Sequence, residues 1–277
     1  MKQSLIIGWL YPELMSTYGD RGNIIVLQKR CEWRGIDVEI KRLDLGFKIE
    51  DLRKCNLLFM GGAQDRQQQI VAYDLLKKRN DLKEMIENGI PGLYICGAYQ
   101  FLGKYYKEAN GNVINGLDIL DLYTENPGEN HPRLIGNAFI QCHPDQAKPG
   151  SGSRDSDLRQ NDNEQTLIGF ENHGGRTYLG NNTKPLGKVI KGYGNNGDLP
   201  AMLNGRQVQA GDQTEGAIYK NSFGSYLHGP ILPKNPELAD LLIKIALEKK
   251  YPNSPTNLSP LDDSLETQAR NIILKSF

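Results

Sequence analysis

The chain has 277 residues, 33 of them basic and 33 acidic, for a formal net charge of +0. That length suits one large domain with ample core, and the charge balance gives no electrostatic reason to expect nucleic acid or a membrane surface as partner. No apolar run is long enough to span a bilayer and the N-terminal residues show no signal-peptide pattern; Cys31, Cys55, Cys96 and Cys142 lie far apart without CxxC spacing, which argues for a reducing cytoplasm and against a disulfide framework or a zinc site.

The apolar run at 5–10 predicts a buried first strand, ended by Tyr11-Pro12. Residues 16–23 form a polar, glycine-rich loop, after which Ile24, Leu27, Gln28 and Cys31 keep helical spacing up to a stop at Gly35. Residues 36–43 alternate as a second strand. A third, at 56–60, runs into Gly61-Gly62-Ala63-Gln64-Asp65. One long helix is expected from about 67 to 88, closed by Gly89, and 91–95 is the strand that delivers Cys96. This alternation predicts an α/β fold, a mostly parallel sheet flanked by helices. Periodicity then weakens, with strand candidates at 134–141, 166–170, 187–191 and 216–219. The stretch 143–165, rich in small and polar residues, reads as a flexible surface insertion in a single domain over 1–277. Residues 236–251 read as an amphipathic helix with proline at its start, 253–260 as a turn-rich linker and 261–277 as a final helix. Leu265, Ala269, Ile272 and Ile273 form one face of that helix, expected to join the core or else to meet a partner.

The chemistry concentrates at 92–103. Leu93, Tyr94 and Ile95 lead straight into Cys96, followed by small Gly97 and Ala98 and by Tyr99-Gln100-Phe101-Leu102, a helix start. Strand, tight turn, helix is the geometry of a nucleophile elbow, and a helix N-terminus favours the thiolate. A buried cysteine at a strand end is the alternative, but packing alone needs no such turn. The backbone N–H groups of Gly62 and Ala63, after a strand, could join that of Gly97 in holding an oxyanion. A cysteine nucleophile needs a base. His131 and His143 read as loop residues. His228 is favoured because a short strand carries it to a glycine turn in Tyr226-Leu227-His228-Gly229-Pro230; His173, in Glu171-Asn172-His173-Gly174-Gly175-Arg176, is the competitor. Neither Leu102-Gly103-Lys104-Tyr105 nor Leu186-Gly187-Lys188-Val189 satisfies a phosphate-binding P-loop, so any ATP-dependent step belongs to another polypeptide and no cofactor or metal is expected.

Ile95-Cys96-Gly97-Ala98-Tyr99-Gln100 resembles the nucleophile motif of class I (triad-type) glutamine amidotransferases, closest to the cobyric-acid-synthase-like branch, with Ala98 in place of a usual second glycine. Further strings in the same order resemble the glutamine-hydrolysing subunits of lipid II isoglutaminyl synthase: Gly19-Asp20-Arg21-Gly22-Asn23, Gly61-Gly62-Ala63-Gln64-Asp65, Arg133-Leu134-Ile135-Gly136-Asn137, Gly169-Phe170-Glu171-Asn172-His173-Gly174-Gly175-Arg176-Thr177 and Tyr226-Leu227-His228-Gly229-Pro230-Ile231-Leu232. The resemblance covers nearly all of the chain except about 142–165. It implies a flavodoxin-like amidotransferase fold and hydrolysis of L-glutamine to glutamate and ammonia, with Cys96 and His228 catalytic. It also implies that Arg133 clamps the substrate's α-carboxylate, and that Gln100 and His173 border the substrate. Its implied partner is a MurT-like Mur ligase subunit in a heterodimer, which would use the ammonia to amidate the α-carboxylate of D-glutamate in the stem peptide of lipid II. Most class I members carry an acid two residues after the histidine; Pro230 stands there in this chain, so either a Cys–His dyad works alone or an acid or amide elsewhere orients the ring. Rival readings are an amidotransferase subunit for another acceptor such as a corrinoid, a non-catalytic amidotransferase-like interaction protein, and a cysteine peptidase.

Overall fold

The computed structural model describes residues 2–142, 166–197, 202–203, 206–207 and 211–275. In chain order these form β1 (Ser4–Leu10), α1 (Arg21–Glu32), β2 (Asp37–Leu43), α2 (Ile49–Arg53), β3 (Leu57–Met60), α3 (Asp65–Leu76), α4 (Arg79–Glu87), β4 (Gly92–Ile95) and α5 (Gly97–Leu102). There follow β5 (Tyr105–Lys107), β6 (Val113–Asn115), β7 (Leu122–Glu125), β8 (Leu134–Cys142), β9 (Thr166–His173), β10 (Arg176–Leu179), β11 (Gly187–Lys191), β12 (Met202–Leu203) and β13 (Arg206–Gln207). The chain ends with β14 (Thr214–Glu215), β15 (Ala217–Tyr219), β16 (Ser222–Ser225), β17 (Leu227–His228), α6 (Pro236–Lys250) and α7 (Ser264–Leu274).

The main sheet has the order β15-β16-β4-β3-β1-β2, and every pair in it is parallel except β15 with β16. Strands β3 and β4 are buried at every residue, as a parallel sheet covered on both faces requires. Helices α1 and α6 pack on each other, with α6 lying against β1 and β3. The mostly parallel α/β architecture expected from the sequence is therefore present. Two further sheets were not expected: β14-β11-β8-β9-β17, and β10-β7-β5-β6. In the first, β8 and β9 pair antiparallel from Leu134 with His173 to Gln141 with Thr166. The predicted insertion at 143–165 joins those two strands and lies outside the described residues.

Three local expectations are corrected. The single helix expected over 67–88 is two, α3 and α4, broken at Lys78 (φ −106°, ψ 7°). Lys78 turns inward to pair with Asp74 (Nζ to Oδ1, 2.6 Å) and lies over the Phe47 ring, while α4 redirects Leu82, Met85 and Ile86 into the core. The loop expected over 16–23 is partly helical, with a 3-10 turn at Thr17–Gly19 and α1 beginning at Arg21 rather than Ile24. The final helix starts at Ser264 and buries none of its described residues; Leu265 and Ile272 are 74% and 70% exposed, so its apolar face is not core.

Candidate active site

Four neighbouring strands of the main sheet, β1, β3, β4 and β16, end at one edge, and each is followed by a piece of the site. This is the carboxyl edge, where open α/β sheets bind their ligands. After β4 comes Cys96, held at φ 53° and ψ −108°. A side chain in that region costs of order 1–3 kcal/mol, a strain characteristic of functional turns. The Cys96 N–H donates to the Ser225 carbonyl at 2.8 Å, which ties the elbow to the end of β16. Gly97 leaves no room for a side chain: a Cβ there would lie 2.8 Å from Gln68 Nε2.

After β16 the chain turns through Tyr226 into β17, which leaves the main sheet and pairs with β9. His228 ends this strand fully buried, with Cys96 near enough on one side to favour its charged form. On the other, Nδ1 lies 3.2 Å from Asp20 Oδ1. Burial disfavours the charged ring, but the neighbouring Cys96 and Asp20 outweigh it and raise the histidine to about 10. The site thus favours an imidazolium beside the sulfur.

Asp20, itself fully buried, was not picked out by reading the sequence. The string around it is a receptor for the histidine turn. Asp20 takes His228, and Gly22 has no side chain because Pro230 Cγ fills that space. Asn23 Oδ1 accepts the Leu232 N–H at 2.9 Å.

After β3 comes the glycine loop. Gly62 N–H donates to Asp20 Oδ2 at 2.7 Å, so the amide expected in the oxyanion hole is committed to the carboxylate. A Cβ on Gly62 would lie 2.9 Å from His228 Cε1 and 3.0 Å from Cys96 Cβ. Gly62 is therefore a spacer between sulfur and imidazole. Ala63 lies at the cavity, and its carbonyl accepts Gln68 Nε2 at 2.9 Å.

A cavity of ≈140 Å³ opens at Cys96 and is also lined by Gln100, Arg133 and His173. Arg133 spends Nε and Nη2 on the Asn172 side chain and carbonyl, both at 2.9 Å, which leaves Nη1 beside Gly174. Gln100 donates Nε2 to the Tyr226 hydroxyl at 3.0 Å, and its buried Oε1 has no partner among the described residues. His173 stacks on Tyr226 (centroids 3.6 Å apart, 4° between planes), with Nδ1 2.7 Å from the Gly175 carbonyl, and burial lowers it to about 3. It is a neutral wall of the cavity, positioned away from the role of base. His131 does not line the cavity, and His143 lies outside the described residues.

A strained cysteine at a strand-to-helix elbow, a buried histidine beside it and a carboxylate behind the histidine are the arrangement a triad-type amidotransferase would use. The profile of the CobB/CobQ-like glutamine amidotransferase domain matches residues 6–236. The chain is 39% identical over 94% of its length to the GatD subunit of the glutamine-hydrolysing lipid II isoglutaminyl synthase of Staphylococcus aureus, covering 90% of it. It is 40% identical over 89% of its length to the corresponding GatD subunit of Streptococcus pneumoniae, covering 82% of it. A solved structure described as a glutamine amidotransferase shares the fold, with a TM-score of 0.51 at 14% identity over 87% of this chain and 98% of that one. The chain belongs to the CobB/CobQ-like glutamine amidotransferase family. No helix among the described residues is long and apolar enough to cross a membrane.

Proposed function

We propose that this chain is the glutaminase subunit of a lipid II isoglutaminyl synthase. The observation that carries the reading is the Cys96–His228–Asp20 array in a chain so similar, over nearly its full length, to two proteins of that name. In this reading Cys96 Sγ attacks the side-chain carboxamide carbon of L-glutamine. The carbonyl oxygen takes the negative charge and is met by the N–H groups of Ala63 and Gly97. The His228 imidazolium gives its proton to the amide nitrogen as the C–N bond breaks, releasing ammonia and leaving a thioester. Neutral His228 then takes a proton from water, whose oxygen attacks the thioester; the C–S bond breaks and glutamate departs. Asp20 holds the Nδ1 proton, so Nε2 faces the sulfur. Arg133 offers its free Nη1 edge to the α-carboxylate, while Gln100 and His173 shape the wall.

Ammonia becomes useful only if an acceptor is activated nearby. The reading therefore includes an ATP-dependent, MurT-like ligase subunit that amidates the D-glutamate α-carboxylate of lipid II. Mixing the full chain with such a ligase, ATP, glutamine and lipid II should yield amidated lipid II, and Cys96→Ala should lose glutamine-driven but keep ammonia-driven amidation. If Cys96→Ala still used glutamine, the nucleophile would be misassigned.

A further inference from the structure

Apart from Cys96 itself, the side chains lining its cavity include two with a formal charge at neutral pH, Arg133 and Asp65; His173 is held neutral. Asp65 is the first residue of α3, directly beyond the glycine loop, whereas Arg133 lies just ahead of β8. Among the described residues the Asp65 carboxylate accepts one hydrogen bond, a long one from the Tyr106 hydroxyl at 3.4 Å, and forms no salt bridge. Although Asp65 is exposed, partial desolvation at the cavity wall and the nearby charge of Glu108 push its carboxyl up, and Tyr106 and Arg133 only partly offset this. A carboxylate at a cavity wall whose charge is only partly compensated is a place for a cation. An acid in the first turn also favours the dipole of α3, but that role needs neither the cavity nor Tyr106.

We propose that Asp65 binds the α-ammonium of the substrate amino acid, so that the site reads a zwitterionic head group with Arg133 on the carboxylate and Asp65 on the ammonium. The inference deepens the glutaminase reading and rests on it. Asp65 acts as a specificity determinant: it touches a part of the substrate remote from the reacting carbon, so it contributes to binding more than to the chemical step.

The test compares L-glutamine with glutaramate, the same molecule without the amino group, as substrates of the full chain with its synthetase partner. Asp65→Asn should raise KM for glutamine about tenfold or more, the loss of a charge-assisted hydrogen bond, and leave kcat within about threefold. Its constants for glutaramate should match those of the parent, and Asp65→Glu should recover part of the preference for glutamine. Calorimetric titration of glutamine into Cys96→Ala and into the Cys96→Ala/Asp65→Asn double variant gives the same comparison without turnover. Equal effects of Asp65→Asn on both substrates, or none on either, would overturn the assignment of Asp65 while leaving the glutaminase reading intact. Absence of both glutamine turnover and glutamine binding in the parent chain would instead remove the glutaminase reading itself.

Discussion

At the scale of single residues, the site depends on a contact that joins positions 20 and 228. Asp20 accepts from His228 Nδ1 with one oxygen and from Gly62 N–H with the other. An asparagine could keep the Gly62 bond through its carbonyl but would present an amide N–H to Nδ1 and reverse the tautomer. Asp20→Asn should therefore lower kcat for glutamate release by about 10²–10⁴-fold, with KM and thermal unfolding little changed; the change of an orienting aspartate in a serine triad sets that scale. A kcat within threefold of the parent would reduce the site to a dyad. Gly62→Ala puts a methyl between His228 Cε1 and Cys96 Cβ, so it should cost activity more than stability, read by glutamate release against melting temperature. Cys96 and His228 were readable as candidates because each carries its own turn chemistry in consecutive letters. Asp20 was not, because the usual cue, an acid two residues beyond the histidine, is replaced here by Pro230, and no local pattern links residues 208 positions apart. The role expected of Gly62 as a donor failed for the same reason: its amide is taken by that distant carboxylate.

At the scale of elements, strands with continuous apolar runs, β1, β3 and β4, were readable, and so was α6 with its proline start. The short strands β5, β6, β7 and β10 escaped. Each has three or four residues and mixes polar with apolar letters, and tertiary pairing defines them better than local pattern does. The break between α3 and α4 carries no glycine or proline to announce it. Helix α7 showed the opposite failure: its periodicity was read correctly, but of the two places expected for its face, core or partner surface, the core is not where it lies. What ties this region down is polar. Arg30, 2% exposed, pairs with Asp240 and Asp263, and Arg270 donates to Asn235 Oδ1 at 2.8 Å. Replacing Leu265 and Ile272 together by glutamate should thus change unfolding free energy by no more than about 0.5 kcal/mol, as at ordinary surface positions. A loss of 2 kcal/mol or more in denaturant titration would show that this face is buried in the working protein.

At the scale of the whole molecule, the chain stores titratable groups in its interior that the proposed chemistry does not consume. Glu215 is fully buried, and one oxygen accepts the Ser225 hydroxyl at 2.6 Å and the Tyr226 N–H at 2.8 Å while the other has no partner among the described residues. It braces the turn that leads to His228. Burial raises its carboxyl to about 7, against the lowering effect of those two hydrogen bonds. The folded state therefore holds this proton more tightly than the unfolded chain. Its contribution to stability is complete below the unfolded value near 4.5 and is lost as pH rises through about 7, at about 1.4 kcal/mol per pH unit within that window. His173 leans the other way: kept neutral down to about 3 in the fold, it contributes stability that is complete above 6.5 and declines as pH falls. Between pH 5 and 6.5 these two slopes oppose each other, but Glu171, whose carboxyl burial also raises to about 7, adds to the Glu215 side, so the parent protein should lose stability as pH rises there. Glu215→Gln retains an oxygen for Ser225 and Tyr226 but cannot titrate. Its unfolding free energy relative to the parent should climb by about 1 kcal/mol or more per pH unit from pH 5 to 7 and level off above about 7.5. Denaturant titrations of the two proteins across that range decide the matter: parallel curves would mean that Glu215 keeps an ordinary carboxylate charge inside the fold, and that the turn holding His228 is braced by an ionised group.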